Sequence, residues 1–161
     1  MSVEKVRAYL KEFGLDDRVE EFEVSSATVE LAAKAAGVIP AMIAKTLSFK
    51  VGEKAILIVT SGDKKIDNQK YKQIFGTKAK MLTFDEAIEY TGHAVGGVCP
   101  FALADAETKT YLDSSLKRFD VILPAAGSSS SCVRLSPAEL EKSSKAVAWI
   151  DVCKNIVEET N

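Results

Sequence analysis

The sequence has few of the residues from which common catalytic and metal sites are built. Its 161 residues include one histidine, His93, and three cysteines, Cys99, Cys132 and Cys153. A site with several histidine ligands cannot form, and three widely spaced cysteines indicate neither a zinc cluster nor a disulfide framework. A serine triad would depend on His93 alone, and no G-x-S-x-G segment is present to hold its serine. The glycine motifs of phosphate-binding loops are absent as well.

An excess of one charge and long apolar runs are also missing. The chain has 21 basic and 23 acidic residues, which leave a net charge of −2. This balance excludes an arginine-rich nucleic-acid arm and a polybasic membrane-surface helix, although a local RNA contact stays open. No apolar run approaches the ~20 residues that span a bilayer, and residues 1–14 are amphipathic rather than the apolar core of a signal peptide. We therefore expect a cytoplasmic protein that has neither a membrane nor DNA as a partner.

Interleaved helix and strand patterns predict the fold class. The length and a hydrophobic content of 47% are typical of one domain, here residues 1–161, with its own core. Helices are predicted at 3–13, 28–36, 67–75 and 83–90, followed by a last long helix from 136. Strands are predicted at 19–24, 43–51, 55–59, 80–82, 110–112, 119–123, 132–135 and 146–150, and the run 55–59 is apolar enough to be buried on both faces. The irregular strand spacing favours an α/β fold with a mixed sheet over a doubly wound parallel sheet.

The most informative stretch is a glycine-rich loop at residues 96–100, with the sequence GGVCP. Glycine has no Cβ, so its backbone can approach a ligand closely and present N–H groups to a carbonyl or an oxyanion. A simple turn between a helix and a strand is the alternative. Cys99 within this loop is either an inert buried thiol or a reactive one.

Three further positions could belong to the same cleft. Lys45, in the strand 43–51, could hold a carbonyl or a phosphate as a point charge, or it could face solvent. His93 could line the cleft or have a structural role. The serine run 128–131 is typical of a solvated turn, and its consecutive N–H groups could also form an anion-binding nest.

A cluster of basic residues stands out from the balanced total. Between residues 64 and 80 there are six lysines and one acidic residue, a local charge of +5. The cluster is either a solvated face or a patch that contacts phosphates. The candidate RNA-binding residues within it are Lys64, Lys65, Lys70 and Lys72.

These motifs occur in the order found in the YbaK/EbsC family. The matching segments are Ala44-Lys45-Thr46-Leu47, residues 91–100, Leu112-Asp113, and Ala126-Gly127-Ser128 ahead of Ser136-Pro137. Over essentially the whole chain, the sequence resembles these free-standing aminoacyl-tRNA deacylases and the editing insertion domain of bacterial prolyl-tRNA synthetases. The resemblance implies a mixed β-sheet or partial barrel flanked by helices.

The resemblance also implies roles for individual residues. Lys45 matches the lysine that positions the aminoacylated 3′ end of tRNA, and the glycine-rich loop matches the loop whose backbone N–H groups hold the ester carbonyl. Such relatives use no protein nucleophile, metal or cofactor, because water or the substrate's own thiol attacks the ester. The implied catalytic set is Lys45, Gly96, Gly97, Val98 and Cys99, and the implied substrate-binding set is Thr46, His93, Pro100, Asp113, Gly127 and Ser128.

Two positions depart from the family pattern. The loop at residues 127–131 reads GSSSS, whereas relatives often carry glycine with a basic residue there. Cys99 stands where several relatives have serine, which changes the size and the chemistry of the loop.

The expected function is that of a trans-editing hydrolase, which supports translation fidelity by cleaving the ester of a mischarged aminoacyl-tRNA. The expected substrate is tRNA(Pro) carrying a small amino acid, and prolyl-tRNA synthetase is a further expected partner. A non-catalytic module of the same fold that binds aminoacyl-tRNA or a synthetase is the alternative. An unrelated small-molecule binding domain is a third interpretation.

Overall fold

The computed structural model describes residues 2–26 and 28–156, which form five α-helices and nine β-strands. The helices are α1 (Ser2–Lys11), α2 (Val29–Ala36), α3 (Asn68–Phe75), α4 (Phe84–Thr91) and α5 (Pro137–Ser144). The strands are β1 (Val19–Glu21), β2 (Ile43–Val51), β3 (Lys54–Ser61), β4 (Lys64–Ile66), β5 (Lys109–Asp113), β6 (Leu123–Pro124), β7 (Ser131–Val133), β8 (Ala148–Ile150) and β9 (Cys153–Asn155). No helix in these two ranges is long and apolar enough to cross a membrane.

The central element is a mixed five-stranded sheet with the strand order β6–β2–β3–β5–β8. β2 and β3 form an antiparallel hairpin, whereas β6 runs parallel to β2, β5 parallel to β3, and β8 parallel to β5. Two antiparallel ribbons, β1 with β7 and β4 with β9, complete the strands. The sheet curls into a half-barrel, which confirms the prediction of a mixed sheet or partial barrel flanked by helices.

Both faces of β3 are buried, as the continuous apolar run predicted. On one face, Val59 belongs to a cluster that contains Val6 and Leu10 of α1. On the other face, Ile58 packs in a cluster with Tyr71 of α3. Burial of each large aliphatic side chain contributes about 1.5–3 kcal/mol. The buried β3 therefore holds β2 in place, and the edge of β2 that faces away from β3 is free to contact other segments.

Capping residues set the starts of α2, α3 and α4 where the sequence predicted them. The Thr28 hydroxyl accepts the backbone N–H of Leu31 at 3.1 Å, and the Asp67 carboxylate accepts two N–H groups in the first turn of α3. Thr83 and Glu86 form a reciprocal capping box at α4. These bonds satisfy amide groups that have no partner inside the helix. The three helix positions are therefore confirmed.

Several short segments differ from the prediction. In the predicted strand 119–123 only the last residue belongs to a strand, β6, and the stretch 80–82 contributes a single bridge between Met81 and Phe49. The last helix has eight residues and is not long. The stretch 146–150 is not the last strand, because β9 follows it and pairs with β4, and neither of these was predicted. Three-residue strands depend on distant partners, so an alternating pattern of their own cannot reveal them.

Candidate functional site

A cavity of about 530 Å³ opens beside strand β2. We call it the β2 cavity, and its walls come from β2, α2, the glycine-rich loop and the segments around β6 and β7. Four predicted site residues meet there: Lys45, Thr46, Gly96 and Val98. A volume of this size is typical of pockets that hold a small organic ligand. Apolar side chains of Val29, Ala32 and Leu123 form part of the wall.

The cavity lies at a gap in the pairing of β2. β6 pairs with only the first two residues of the strand. Further along, the Leu82 N–H donates to the Ser48 carbonyl at 3.1 Å, and the Lys50 N–H donates to the Lys80 carbonyl at 2.8 Å. Because the N–H and C=O of every second strand residue point to the same edge, the backbone of Thr46 also faces this edge. The gap therefore presents one backbone donor and one backbone acceptor to the cavity.

The side chain of Thr46 adds a third polar group. Its Oγ1 atom is buried and has no hydrogen-bond partner within residues 2–26 and 28–156. Leaving a buried polar atom unpaired costs about 1–3 kcal/mol, and a ligand recovers part of this energy only if the Thr46 side chain turns toward the cavity. The cavity wall at Thr46 is thus suited to a ligand that carries both donors and acceptors.

Lys45 is half-buried and lies at the same gap. Its ammonium group donates to the main-chain carbonyl of Lys64, which ties the end of the side chain to the start of β4. Burial lowers the pKa of the Lys45 amine, and the nearby carboxylates of Asp63 and Glu30 act in the opposite direction. An ammonium group has three donors, so two stay available after the bond to Lys64.

The glycine-rich loop brings Gly96 and Val98 to the cavity, whereas Gly97 has a different role. The Gly97 N–H donates to the Ala94 carbonyl at 2.9 Å, so it is not available to a ligand. The N–H groups of Gly96 and Val98 donate to no acceptor in the described part of the chain. Gly96 has a φ of +101°, a conformation that favours glycine. Of the loop residues predicted to contact the ester through their backbone, Gly96 and Val98 therefore have N–H groups available at the cavity.

Gly97 holds two loops together. A Cβ atom at this position would lie 2.7 Å from the backbone of both Gly127 and Ser128. The Ser128 hydroxyl is bonded to the Ser131 hydroxyl at 2.8 Å and accepts the Ser130 N–H at 3.2 Å, so it belongs to the serine turn. Neither Gly127 nor Ser128 lines the β2 cavity, and their predicted contact with substrate gives way to support of the glycine-rich loop.

His93 and the last two residues of the glycine-rich loop, Cys99 and Pro100, are buried and do not line the cavity. The His93 ring is 1% exposed, and its Nε2 donates to the Phe101 carbonyl at 2.8 Å. Burial lowers the pKa of His93, and it raises the pKa of the Cys99 thiol, 3.5 Å from the same nitrogen, to about 12. A neutral imidazole and a protonated thiol buried together are structural groups. The expected substrate contacts of His93 and Pro100 are therefore corrected to support of the loop.

Asp113 is the last residue of β5 and does not line the β2 cavity. Its carboxylate is 2% exposed and accepts the N–H groups of Ser115 at 3.0 Å and Val152 at 2.9 Å. These bonds fix the turn after β5 and the approach to β9. Asp113 therefore has a structural role, and its predicted contact with substrate stays a prediction.

The predicted lysine patch begins next to Lys45, because the Lys45 amine is bonded to the backbone of Lys64. The Lys64 amine contacts the Asn155 side chain, and the Lys70 amine lies 3.0 Å from an Asp151 carboxylate oxygen. Lys65 and Lys72 are exposed. Part of the local positive charge is thus neutralised, and the remainder faces solvent beside the cavity.

The sequence patterns did not identify the apolar rim of the cavity. Met81, Phe84 and Val95 line it, and all three are exposed. One signal was available for Phe84, because it directly follows the N-cap Thr83 on a short amphipathic helix, where a polar residue is usual. This signal identifies a cavity residue only if the position of α4 relative to β2 is known, and local sequence patterns do not predict that position.

The half-barrel, the cavity at its open strand edge and the glycine-rich loop together define a class of protein. The sequence pattern of the aminoacyl-tRNA editing domain matches residues 23–143, which contain both β2 and the glycine-rich loop. The chain belongs to the aminoacyl-tRNA editing domain family. This membership confirms the resemblance that the motifs indicated.

Individual relatives extend over different parts of the chain. The uncharacterized protein YwhH of Bacillus subtilis (strain 168) is 51% identical over 156 residues, which are 96% of this chain and 99% of that protein. Proline–tRNA ligase of Bacillus pumilus (strain SAFR-032) is 32% identical over 79 residues, which are 48% of this chain and only 14% of the ligase.

Solved structures share the fold over nearly the full length. One, of a protein proposed to be a trans-editing enzyme for prolyl-tRNA synthetase, superposes with a TM-score of 0.87 at 29% identity and covers 96% of this chain and 98% of that chain. The hypothetical protein APE2540 superposes with a TM-score of 0.82 at 28% identity, over 93% of this chain and 99% of that chain.

Proposed function

We propose that this protein is a cytoplasmic trans-editing hydrolase, which cleaves the ester that links a mischarged amino acid to the 3′ end of tRNA. Membership of the editing family supports the reaction class. The observation that carries the proposal is the β2 cavity, at which the Lys45 side chain, the open strand edge at Thr46 and the loop residue Gly96 meet.

The proposed chemistry relies on positioning and on hydrogen bonding to the ester carbonyl. Water adds to the carbonyl carbon, the bond to the ribose oxygen breaks, and that oxygen takes up a proton. The Lys45 ammonium and the N–H groups of Gly96 and Val98 are preorganised donors for the oxygen on which negative charge develops. Water is the proposed nucleophile, since His93 and Cys99 are buried and do not line the cavity. This mechanism requires no metal.

The proposed substrate is tRNA(Pro) carrying a small amino acid. The apolar wall formed by Val29, Ala32 and Leu123 suits a small or apolar side chain. The similarity to a segment of a proline–tRNA ligase, and to a protein proposed as a trans-editing enzyme for prolyl-tRNA synthetase, supports the choice of tRNA and suggests the synthetase as a partner.

A deacylation screen tests the proposal. tRNA(Pro) and other tRNAs are charged with alanine, cysteine, serine or proline, and the release of labelled amino acid is compared with the rate without enzyme. We expect faster release of a small amino acid from tRNA(Pro), no effect of EDTA, and little release of proline. Binding of tRNA without release from any member of the panel would favour a non-catalytic binding module.

Cys99→Ser is expected to retain deacylation within a few-fold of the wild-type rate. The thiol is buried, and its pKa is raised to about 12, so little thiolate forms at neutral pH. A serine hydroxyl can donate to the Phe101 carbonyl in the same place. Iodoacetamide should label Cys99 no faster than a free cysteine, with urea-unfolded protein as the control in which the thiol is accessible. An aminoacyl thioester trapped on Cys99, or an inactive but folded serine variant, would contradict this account.

Neutralising Lys64, Lys65, Lys70 and Lys72 together is expected to weaken tRNA binding and to flatten its salt dependence. Each lysine that contacts a phosphate releases counterions and steepens the decrease of affinity with salt. The measurement is the dissociation constant of uncharged tRNA at several salt concentrations.

A control variant shows whether the effect on tRNA binding depends on this patch or follows from the loss of any four positive charges. It neutralises four exposed lysines elsewhere: Lys5, Lys11, Lys109 and Lys142. We expect this control to keep most of the salt dependence of the wild type. Equal slopes for the patch variant and the wild type would identify the patch as a solvated face.

A further inference from the structure

Three exposed apolar side chains form the rim of the β2 cavity. Phe84 is 72% exposed, Met81 57% and Val95 53%, and all three line the cavity mouth. Solvation of such a group is unfavourable, and a contiguous exposed apolar patch beside a cavity is typical of a ligand-binding surface. We call these three residues the rim platform.

The rim platform is held in a fixed position. Phe84 is the first residue of α4, directly after the capping box of Thr83 and Glu86. The Glu86 carboxylate is also paired with the Lys50 ammonium of β2 at 3.1 Å, which joins α4 to the sheet. Met81 is joined to β2 by its bridge to Phe49. The aromatic ring is therefore presented to solvent from an anchored backbone.

The charges around the rim platform favour a nucleic-acid ligand. Lys78 and Lys80 are exposed on the segment that leads to Met81, and their side chains have no ion-pair partner within the described residues. Aromatic side chains flanked by lysines are the combination with which proteins bind single-stranded nucleic acid, because bases stack on the rings and cations contact the phosphates. Asp85 and Glu89 on α4 disfavour a phosphate on the helix side, so the backbone is expected on the side of the two lysines.

We propose that the rim platform stacks against the terminal base of the aminoacylated RNA 3′ end. This inference rests on the proposed function and adds the nucleoside to it. When the aminoacyl ester is inside the cavity next to Thr46 and Gly96, the ribose that carries it lies at the mouth. The base is attached to that ribose and therefore reaches the rim, where Phe84 provides the largest exposed surface. The preceding phosphate then points toward Lys78 and Lys80.

The test measures binding of a probe that cannot be hydrolysed. The probe is an acceptor-stem minihelix of tRNA(Pro) with alanine joined to the terminal adenosine by an amide, and a second probe lacks only the terminal base. Phe84→Ala is expected to raise the dissociation constant of the intact probe about tenfold, because the ring on which the base stacks is removed. Phe84→Trp should bind as tightly as the wild type, and neither variant should change the affinity for the probe without the base.

A matched control is available on the same helix. Ile88 is 52% exposed but does not line the cavity, so Ile88→Ala is expected to leave both affinities unchanged. Thermal unfolding of Phe84→Ala should match that of the wild type, since the ring is mostly in solvent. These controls separate a stacking contact from a general loss of apolar surface.

Failure of this inference differs from failure of the proposed function. Deacylation by the wild type together with an unchanged affinity of Phe84→Ala would overturn the stacking role alone. The stacking role would also be overturned if Phe84→Ala lost the same affinity for both probes, or if the wild type bound neither probe. It would be overturned as well if Phe84→Ala bound the intact probe normally and lost binding to prolyl-tRNA synthetase instead. Base-dependent binding through Phe84 without any deacylation would support the stacking contact and contradict the hydrolase.

Discussion

Gly97→Val is expected to lose deacylation by about a hundredfold or more, because an ångström-scale displacement of catalytic donors costs that much. The added Cβ would lie 2.7 Å from backbone atoms of Gly127 and Ser128, which cannot move without displacing the serine turn. Overpacking of this kind typically costs about 1–3 kcal/mol of stability. The measurements are the deacylation rate and the free energy of unfolding in urea.

Gly52→Ala is the control for this variant. Gly52 has a φ of +62° in the β2–β3 turn, and a Cβ there would meet no atom within 4 Å. We expect a modest loss of stability from backbone strain and an unchanged deacylation rate. A Gly97→Val protein with wild-type activity would show that the two loops need not be in contact.

The structure changes the reason for this prediction. The glycine-rich motif alone explains the sensitivity of Gly97 by close approach of the ester to a backbone without a Cβ atom, and it does not say which glycine has a positive φ. The positive φ belongs to Gly96, and Gly97 is constrained by the neighbouring loop. That constraint comes from a segment about thirty residues away in the chain, so no local pattern contains it.

Lys45→Ala is expected to lower the single-turnover deacylation rate about tenfold or more, equal to about 1.4 kcal/mol of transition-state stabilisation. Lys45 lines the cavity next to Thr46 and, in the proposed mechanism, its amine is a donor to the ester carbonyl. Lys54→Ala is the matched control, since Lys54 is an exposed lysine at the start of the neighbouring strand β3 and does not line the cavity. An unchanged rate in a folded Lys45→Ala protein would contradict the role of Lys45.

The stability of Lys45→Ala separates function from folding. Burial lowers the pKa of Lys45, so the protonated amine is disfavoured in the folded state. This penalty is fully present below the folded-state pKa and disappears as the pH rises to the unfolded-state value near 10.4. At neutral pH the alanine variant should therefore be as stable as the wild type, or more so, while its activity falls. Urea unfolding at pH 7 measures the difference.

The sequence was most informative where a structural rule is local. Helix starts at Thr28, Asp67 and Thr83 could be predicted because an N-cap needs only the residue and the next turn. The buried strand β3 could be predicted because five successive apolar residues leave no polar face. The β4–β9 ribbon could not, because each strand has three residues and is defined only by its distant partner.

The candidate site was predicted in part, for a related reason. Lys45, Thr46, Gly96 and Val98 came from motif resemblance, and the fold brings them to one cavity. The motif does not say which loop residues face the cavity and which face the core. His93 therefore counted as a substrate contact although its ring is buried and does not line the cavity. Phe84 belongs to no motif and was missed.

The most direct test of the account is single-turnover deacylation of alanyl-tRNA(Pro) by the wild type, Lys45→Ala and Lys54→Ala. We expect the wild type and Lys54→Ala to release alanine well above the rate without enzyme, and Lys45→Ala to be about tenfold slower or more. No release by the wild type from any charged tRNA of the panel, or equal release by all three proteins, would contradict the assignment of ester hydrolysis to the β2 cavity.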